Sequence, residues 1–196
     1  MIRAWLSSAD RLQRSDIIFV LAGREDRKRH GLQLFRQGYA PKILFSVARF
    51  EIRRFSKMSL PVPLDLLSVA RELPPAQRHY FVGFAQHDVL VEHVQPGRLG
   101  TLTEIKAFSR WLARHPEIQT VLVIAGPLHL RRARICCRTL LGSGRQIGFI
   151  APPEALPELA GEQQEPLDQS NRALLLELSK VALYWPILRF HHSKVP

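Results

Sequence analysis

Two rhythms of apolar and polar residues run along this chain. Short apolar runs of strand length alternate with stretches in which apolar residues return every three or four positions. The runs predict strands over 16–21, 42–47, 88–94, 119–125 and 146–150. The first, Asp16-Ile-Ile-Phe-Val-Leu21, closes on Ala22-Gly23 and reads as a central strand buried on both faces. Polar residues interrupt Asp88 to Val94, which points to an edge. Residues 77–86 stay ambiguous: His79-Tyr-Phe-Val82 has strand character, but Gly83 and Gln86 break the pattern.

Helical spacing fills the intervals. A charged segment after Gly23, with Leu32, Leu34 and Phe35 as its apolar positions, predicts a basic helix stopped at Gly38. Residues 48–57 read as a basic loop or a short helix, and Leu64 to Glu72 as a brief helix with Leu66, Leu67 and Ala70 on its apolar side. Thr101 or Thr103 is expected to cap a helix through Arg114, with Glu104 in its first turn and Ile105, Phe108, Trp111 and Leu112 facing inward. The helix from Leu128 to Leu141 turns Ala133, Cys136, Cys137 and Leu140 inward and leaves Arg132, Arg134 and Arg138 for solvent. Residues 151–170, rich in Pro, Glu and Gln, predict an irregular connection. Asn171 then caps a helix through Tyr184, whose apolar surface near 171–185 would cover a sheet edge or meet a partner. The alternation of strand and helix predicts an α/β fold, a Rossmann-like open and mainly parallel sheet flanked by helices, in a single domain over 1–196.

Charge adds a bias rather than a class. A net charge of +11 favours anionic contacts. Residues 1–60 carry thirteen basic and five acidic groups, whereas 151–170 carry five acidic and no basic ones. The arginines form no helix-turn-helix, zinc-finger or aromatic RNA-binding signature, so a basic solvated surface is preferred to nucleic-acid binding. No apolar run reaches the ~18 residues of a membrane helix, and residues 1–10 lack the core of a signal peptide, so a soluble, cytoplasmic chain is expected. A membrane anchor in a longer relative stays open. Cys136 and Cys137 are adjacent and read as reduced, and no metal site is expected, His191-His192 included.

The candidate chemistry gathers at strand ends. In Val121-Leu-Val-Ile-Ala-Gly-Pro-Leu-His-Leu-Arg-Arg-Ala133 an apolar strand breaks at Gly126-Pro127 and delivers His129, Arg131 and Arg132 to the start of a helix, where open α/β sheets bind ligands. His129 can move a proton, as an unperturbed imidazole does near neutrality, and Arg131 has the fork that clamps phosphate or carboxylate. Glu104 can act as a base, orient His129 or simply serve a helix N-terminus. Thr101 and Thr103 can donate hydroxyls, and Gly23 with Arg24 and Arg27 offers an anion-facing turn. Neither GxGxxG, nor a phosphate loop ending Gly-Lys-Ser/Thr, nor a Ser-His-Asp order is present.

In order, Asp16-Ile-Ile-Phe-Val-Leu-Ala-Gly23 with Arg27, Gly38-Tyr-Ala-Pro-Lys-Ile-Leu-Phe-Ser46, Thr101-Leu-Thr-Glu104, Val121-Leu-Val-Ile-Ala125 and His129-Leu-Arg-Arg-Ala133 resemble the YdcF-like family of bacterial proteins, related to SanA and ElyC. The match covers roughly residues 15–150. The resemblance implies a Rossmann-like fold and a polar pocket where the first strand, the Thr-Glu segment and the His-Arg turn converge, with Ser46 among its ligand contacts. It also implies an envelope-linked role, and admits S-adenosylmethionine or a nucleotide as cofactor. Three departures imply a divergent ligand preference or lost activity. Val47-Ala48-Arg49 follows Ser46 where the family has a Ser-Gly-Gly-like turn, Ile105-Lys106-Ala107 lacks the usual Asn after Glu104, and the first loop is poorer in glycine.

The resulting expectation is a pocket for a small anionic, phosphate-bearing or nucleotide-like ligand, with Glu104, His129 and Arg131 at its centre. Gly23, Arg24, Arg27, Ser46, Thr101, Thr103 and Arg132 would surround it. Phosphoester hydrolysis is the first reaction class to test. The alternative is a non-catalytic binding protein or one that meets a membrane or envelope partner; a homo-oligomer is neither indicated nor excluded.

Overall fold

A computed structural model describes residues 9–153, except 86, 87, 96, 98, 99 and 143, together with Ser179. The connection expected at 151–170 (beyond 153), the helix near 171–185 (apart from Ser179) and His191-His192 lie outside the described residues. The elements in chain order are β1 (Ile17–Val20), α1 (Glu25–Arg36), β2 (Lys42–Ala48), α2 (Ile52–Phe55), α3 (Leu66–Arg71), β3 (His79–Ala85), β4 (Asp88–His93), α4 (Gly100–Ala113), β5 (Thr120–Ile124), α5 (Leu130–Leu141) and β6 (Gln146–Ile150). Short 3-10 turns occupy Pro75–Gln77 and Pro127–His129.

The strands form one mixed sheet in the order β4-β3-β2-β1-β5-β6. Those from β2 to β6 along that order are parallel, and β3 and β4 join antiparallel. The fold is α/β, with helices on both faces. Successive side chains in a strand point to opposite faces. Ile17, Phe19, Leu44, Phe81, Val121 and Val123 accordingly pack with Ile105, Phe108 and Leu112 of α4 and Ala133, Cys136 and Cys137 of α5. Ile18, Val20, Ile43, Phe45, Val82, Leu122 and Ile124 pack with Leu32 and Leu34 of α1, Ile52 and Phe55 of α2, and Leu66 and Ala70 of α3. Phe19 and Phe108 stack at 3.9 Å between ring centres, fixing α4 over the middle strand.

Several sequence expectations need correction. The ambiguous segment 79–85 is β3, a sixth strand lying between β2 and β4, buried from His79 to Phe84. Gly83 interrupts its pattern because space is short there: a Cβ would lie 3.2 Å from Leu44 Cδ1 and 3.4 Å from Leu90 Cβ. Leu67, expected on the apolar side of α3, is exposed. Arg132 is buried rather than solvated, and Arg134 is half-buried on Asp10 at 2.9 Å; Arg138 is exposed as expected. Asp16 accepts the Gln119 and Thr120 amides at 2.8 and 2.7 Å, which depresses its pKa and pins the start of β1 to β5. Both cysteines are free and buried, and burial pushes the Cys136 thiol up to about 12. Among the described residues no helix is long and apolar enough to cross a membrane.

α1 lies very close to the sheet at Gly31, where a Cβ would stand 2.7 Å from Val20 Cγ2 and 3.4 Å from Ile43 Cδ1. Gly31→Val should therefore lose about 1–3 kcal/mol through overpacking, read from urea denaturation midpoints. Unchanged stability would show that α1 does not depend on this close approach.

Candidate functional site

The strand order makes a crevice before any side chain is considered. β1 sits between β2 and β5, and the chain leaves it first towards β2 and later returns on the β5 side. At such a switch point the loops at the carboxyl ends of the two central strands diverge, and ligands bind between them. Here those loops begin at Ala22-Gly23 and at Gly126.

Backbone amides leaving a strand end need acceptors when they are buried. The Ala22 amide donates to Glu104 Oε1 of α4 at 2.9 Å, and the Gly23 amide to Glu51 Oε1 at 2.6 Å. Gly23 has φ of 139°, a conformation suited to glycine. Glu51 Oε2 is held by Lys28 Nζ of α1, in an ion pair with side-chain exposures of 13% and 2%. Burial raises the Glu51 pKa and lowers that of Lys28, while each charge opposes the shift of the other.

A second chain of polar groups runs across the end of β2. His79 is paired with Ala48, two residues from Ser46, so the ring and the hydroxyl share the face covered by α4. Ser46 Oγ donates to Glu104 Oε1 at 2.5 Å and lies 2.7 Å from His79 Nε2. Since the single hydroxyl proton goes to the carboxylate, Nε2 of His79 must carry the proton donated to Ser46. Burial lowers the His79 pKa against the attraction of Glu104, whose Oε1 is 4.0 Å from Nε2. The order is therefore histidine to serine to carboxylate, which anchors Glu104 rather than activating the serine as a nucleophile.

The other wall of the crevice is cationic. Arg27 Nη1 donates to the Ala22 carbonyl at 2.6 Å. Its guanidinium lies against two glycines, since a Cβ on Gly23 would come within 2.5 Å of Nη1 and one on Gly126 within 2.7 Å of Nη2. Arg27 is 7% exposed, and its buried Nε has no hydrogen-bond partner among the described residues. Arg132 Nε donates to Thr101 Oγ1 at 3.1 Å, and its Nη2 lies 2.8 Å from His129 Nδ1. Arginine only donates, so Nδ1 accepts and the neutral His129 ring carries its proton on Nε2.

The sequence candidates thus divide. Gly23, Arg27, Ser46, Thr101, Glu104, His129 and Arg132 line the strand ends in two groups, joined through Thr101 and Glu104, which lie three residues apart on α4. Arg24 does not join them: its side chain is 82% exposed and faces Asp26 at 3.6 Å. Thr103 packs against Gly97. Both threonines lie inside the first turn of α4 instead of capping it, and Glu104 comes one residue beyond that turn. Glu104 orients Ser46 and the Ala22 amide, not His129. Arg132, not the half-buried Arg131, is the arginine that reaches both Thr101 and His129.

Three members of the cluster, Lys28, Glu51 and His79, are not among the residues that the sequence singles out. Lys28 shares the inward face of α1 with Leu32, four residues on, and that spacing was the available signal. Glu51 is the lone acid between Arg49 and Lys57. His79 was hidden by the ambiguity of its strand. Among the described residues no group of three metal-ligating side chains converges.

Two measurements test this arrangement. Lys28→Met or Glu51→Gln alone leaves a buried group without its ionic partner and should cost about 3–5 kcal/mol, whereas the double variant should cost far less than the sum of the two. Additive losses in urea denaturation would sink the buried pair. For His79, the unfolded ring binds protons more readily than the folded one below its ordinary value of 6.5, so folding stability should fall as pH drops through and below that value. His79→Gln keeps an N–H for Ser46 and does not titrate; its stability should show a weaker loss on acidification, and parallel pH curves would contradict the assignment.

No protein-family model, no curated protein sequence and no solved structure matches this chain.

Proposed function

We propose that the chain is a YdcF-like protein with a Rossmann-like sheet, and that the crevice between the Gly23 and Gly126 loops binds a small anionic, phosphate-bearing or nucleotide-like ligand. The observation that supports this most is Arg27. A buried guanidinium is costly unless anions compensate it; Asp26, Glu104 and Glu51 attract Arg27, yet its hydrogen bond goes to a carbonyl, two glycines flank it, and Nε is unpartnered among the described residues. Arg132, bound to Thr101 and His129, adds positive charge close to Arg27. A phosphate meets such a set with several oxygens at once. S-adenosylmethionine carries a sulfonium cation and an ammonium, with a carboxylate as its only anionic group, so a phosphate ester or nucleotide suits the charge better.

As an enzyme, the first class to test is phosphoester hydrolysis, in which water would attack phosphorus, the bond to the leaving alcohol would break, and Arg27 and Arg132 would stabilise the charge, with His129 positioning Arg132. One feature favours the alternative of a non-catalytic binding protein. Ser46 is fully buried and gives its proton to Glu104 Oε1, which also accepts from Ala22, so the serine is not arranged as a nucleophile.

Calorimetry with pyrophosphate, a nucleoside diphosphate and S-adenosylmethionine separates these ligands. Arg27→Met should weaken binding of the phosphate compounds by about 10–100-fold, the value of a charged hydrogen bond, and wild-type affinity in that variant would sink the reading. Phosphoester turnover lost in His129→Ala supports the enzyme; binding without turnover supports the binding protein.

A further inference from the structure

The segment that supplies Glu51 has a second face. Between residues 49 and 57 the chain makes one helical turn, with the Glu51 amide bonded to the Ala48 carbonyl at 2.8 Å and the Phe55 amide to the Glu51 carbonyl at 2.7 Å. Ile52 and Phe55 are buried in the core, and Glu51 turns inward to Lys28 and the Gly23 amide. What remains outside is Arg49, Phe50, Arg53, Arg54 and Lys57, all exposed. The segment's only acid is consumed internally, so its outer face carries four cations and no carboxylate. Phe50 is 76% exposed, against 38–40% for the other large exposed hydrophobics Leu12, Leu67 and Leu90.

We infer that this tip docks the protein on an anionic lipid surface. The inference does not depend on what the crevice binds. A flat anionic surface attracts basic side chains near it, and an aromatic ring at the apex enters the interfacial layer while flanking arginines keep their heads at the phosphates. The tip has that arrangement: one ring that is 76% exposed, one cation beside it in sequence, and three on the turn that follows. A single-stranded nucleic acid fits less well. It requires aromatic faces spaced along a track, whereas this tip has one exposed ring, and the Arg49 guanidinium stands over it at 4.2 Å. Rigidity also suits docking, because the inner half of the turn is fixed by Ile52, Phe55 and Glu51 and the outer residues need no reordering to meet a surface.

The test is sedimentation of the full chain with vesicles of phosphatidylcholine alone or mixed with phosphatidylglycerol, at low and high salt. The chain should bind the anionic vesicles, release them in high salt, and ignore the neutral ones. Replacing Arg49, Arg53, Arg54 and Lys57 together by Gln should weaken vesicle binding by at least about tenfold, given the gain attributed to each basic residue near an anionic surface. Phe50→Ser should weaken it severalfold with the charge intact. All five positions are exposed, so circular dichroism should show both variants folded. Control variants replacing Arg11, Arg14, Arg110 and Arg138 by Gln remove equal charge elsewhere and should bind as wild type. Equal losses in tip and control variants would reduce the effect to net charge and overturn the inference. Tip-dependent binding of a single-stranded oligonucleotide, without tip-dependent vesicle binding, would overturn it in favour of nucleic acid.

Discussion

Two consecutive amides, those of Ala22 and Gly23, are each held by a buried carboxylate, and the polar end of the sheet is arranged around that fact. Neither acceptor is local. Glu104 comes from α4 on one face of the sheet, and Glu51 from the turn before α2 on the other side of β2. A carboxylate placed there must itself be compensated. Ser46 and His79 do this for Glu104, and Lys28 does it for Glu51. The result fixes the β1 loop from both faces, and Arg27 then closes over it from α1, resting on Gly23 and Gly126. A pocket wall made this way is rigid because each charged group is held by an element that is also anchored in the apolar core.

The legible part of the fold was the part governed by apolar runs. The strands buried on both faces announced themselves, as did the inward positions of α4 and α5, because burial alone selects those residues. The segment 79–85 was obscured by Gly83, whose reason lies in Leu44 and Leu90, far away in sequence. The candidate site was legible where it coincides with a strand end, at Gly23 and His129. It was illegible where charges are buried by long-range partners. Lys28 reads as part of a basic helix because charge run and exposure go together in most helices, whereas Arg27 is legible from its place after Gly23. Here α1 starts beyond the carboxyl end of the sheet, so the first inward turn covers strand ends rather than apolar side chains, and only from Gly31-Leu32 onward does the same face meet the core.

The same reasoning explains the exchange of Arg131 for Arg132. Neighbouring residues on a helix point about a quarter-turn or more apart, so only one of the pair can share a face with His129, three residues before Arg132. Spacing from His129 favours Arg132, and the contact to Thr101 on α4 follows because α4 and α5 pack side by side on that face.

Hydrogen-bond polarity carries the chemical argument furthest. Arginine cannot accept, so in the contact with Arg132 the lone pair of His129 Nδ1 is the acceptor. The serine has one proton and gives it to Glu104, so His79 is fixed as a donor. His79 thus donates and His129 accepts within the cluster, while Glu104 Oε1 is committed to the Ala22 amide and to Ser46. The guanidiniums of Arg27 and Arg132 lie close enough to repel one another, beside the glycines at the ends of β1 and β5. That concentration of positive charge, more than the presence of any one catalytic residue type, is what the proposed recognition of an anion rests on.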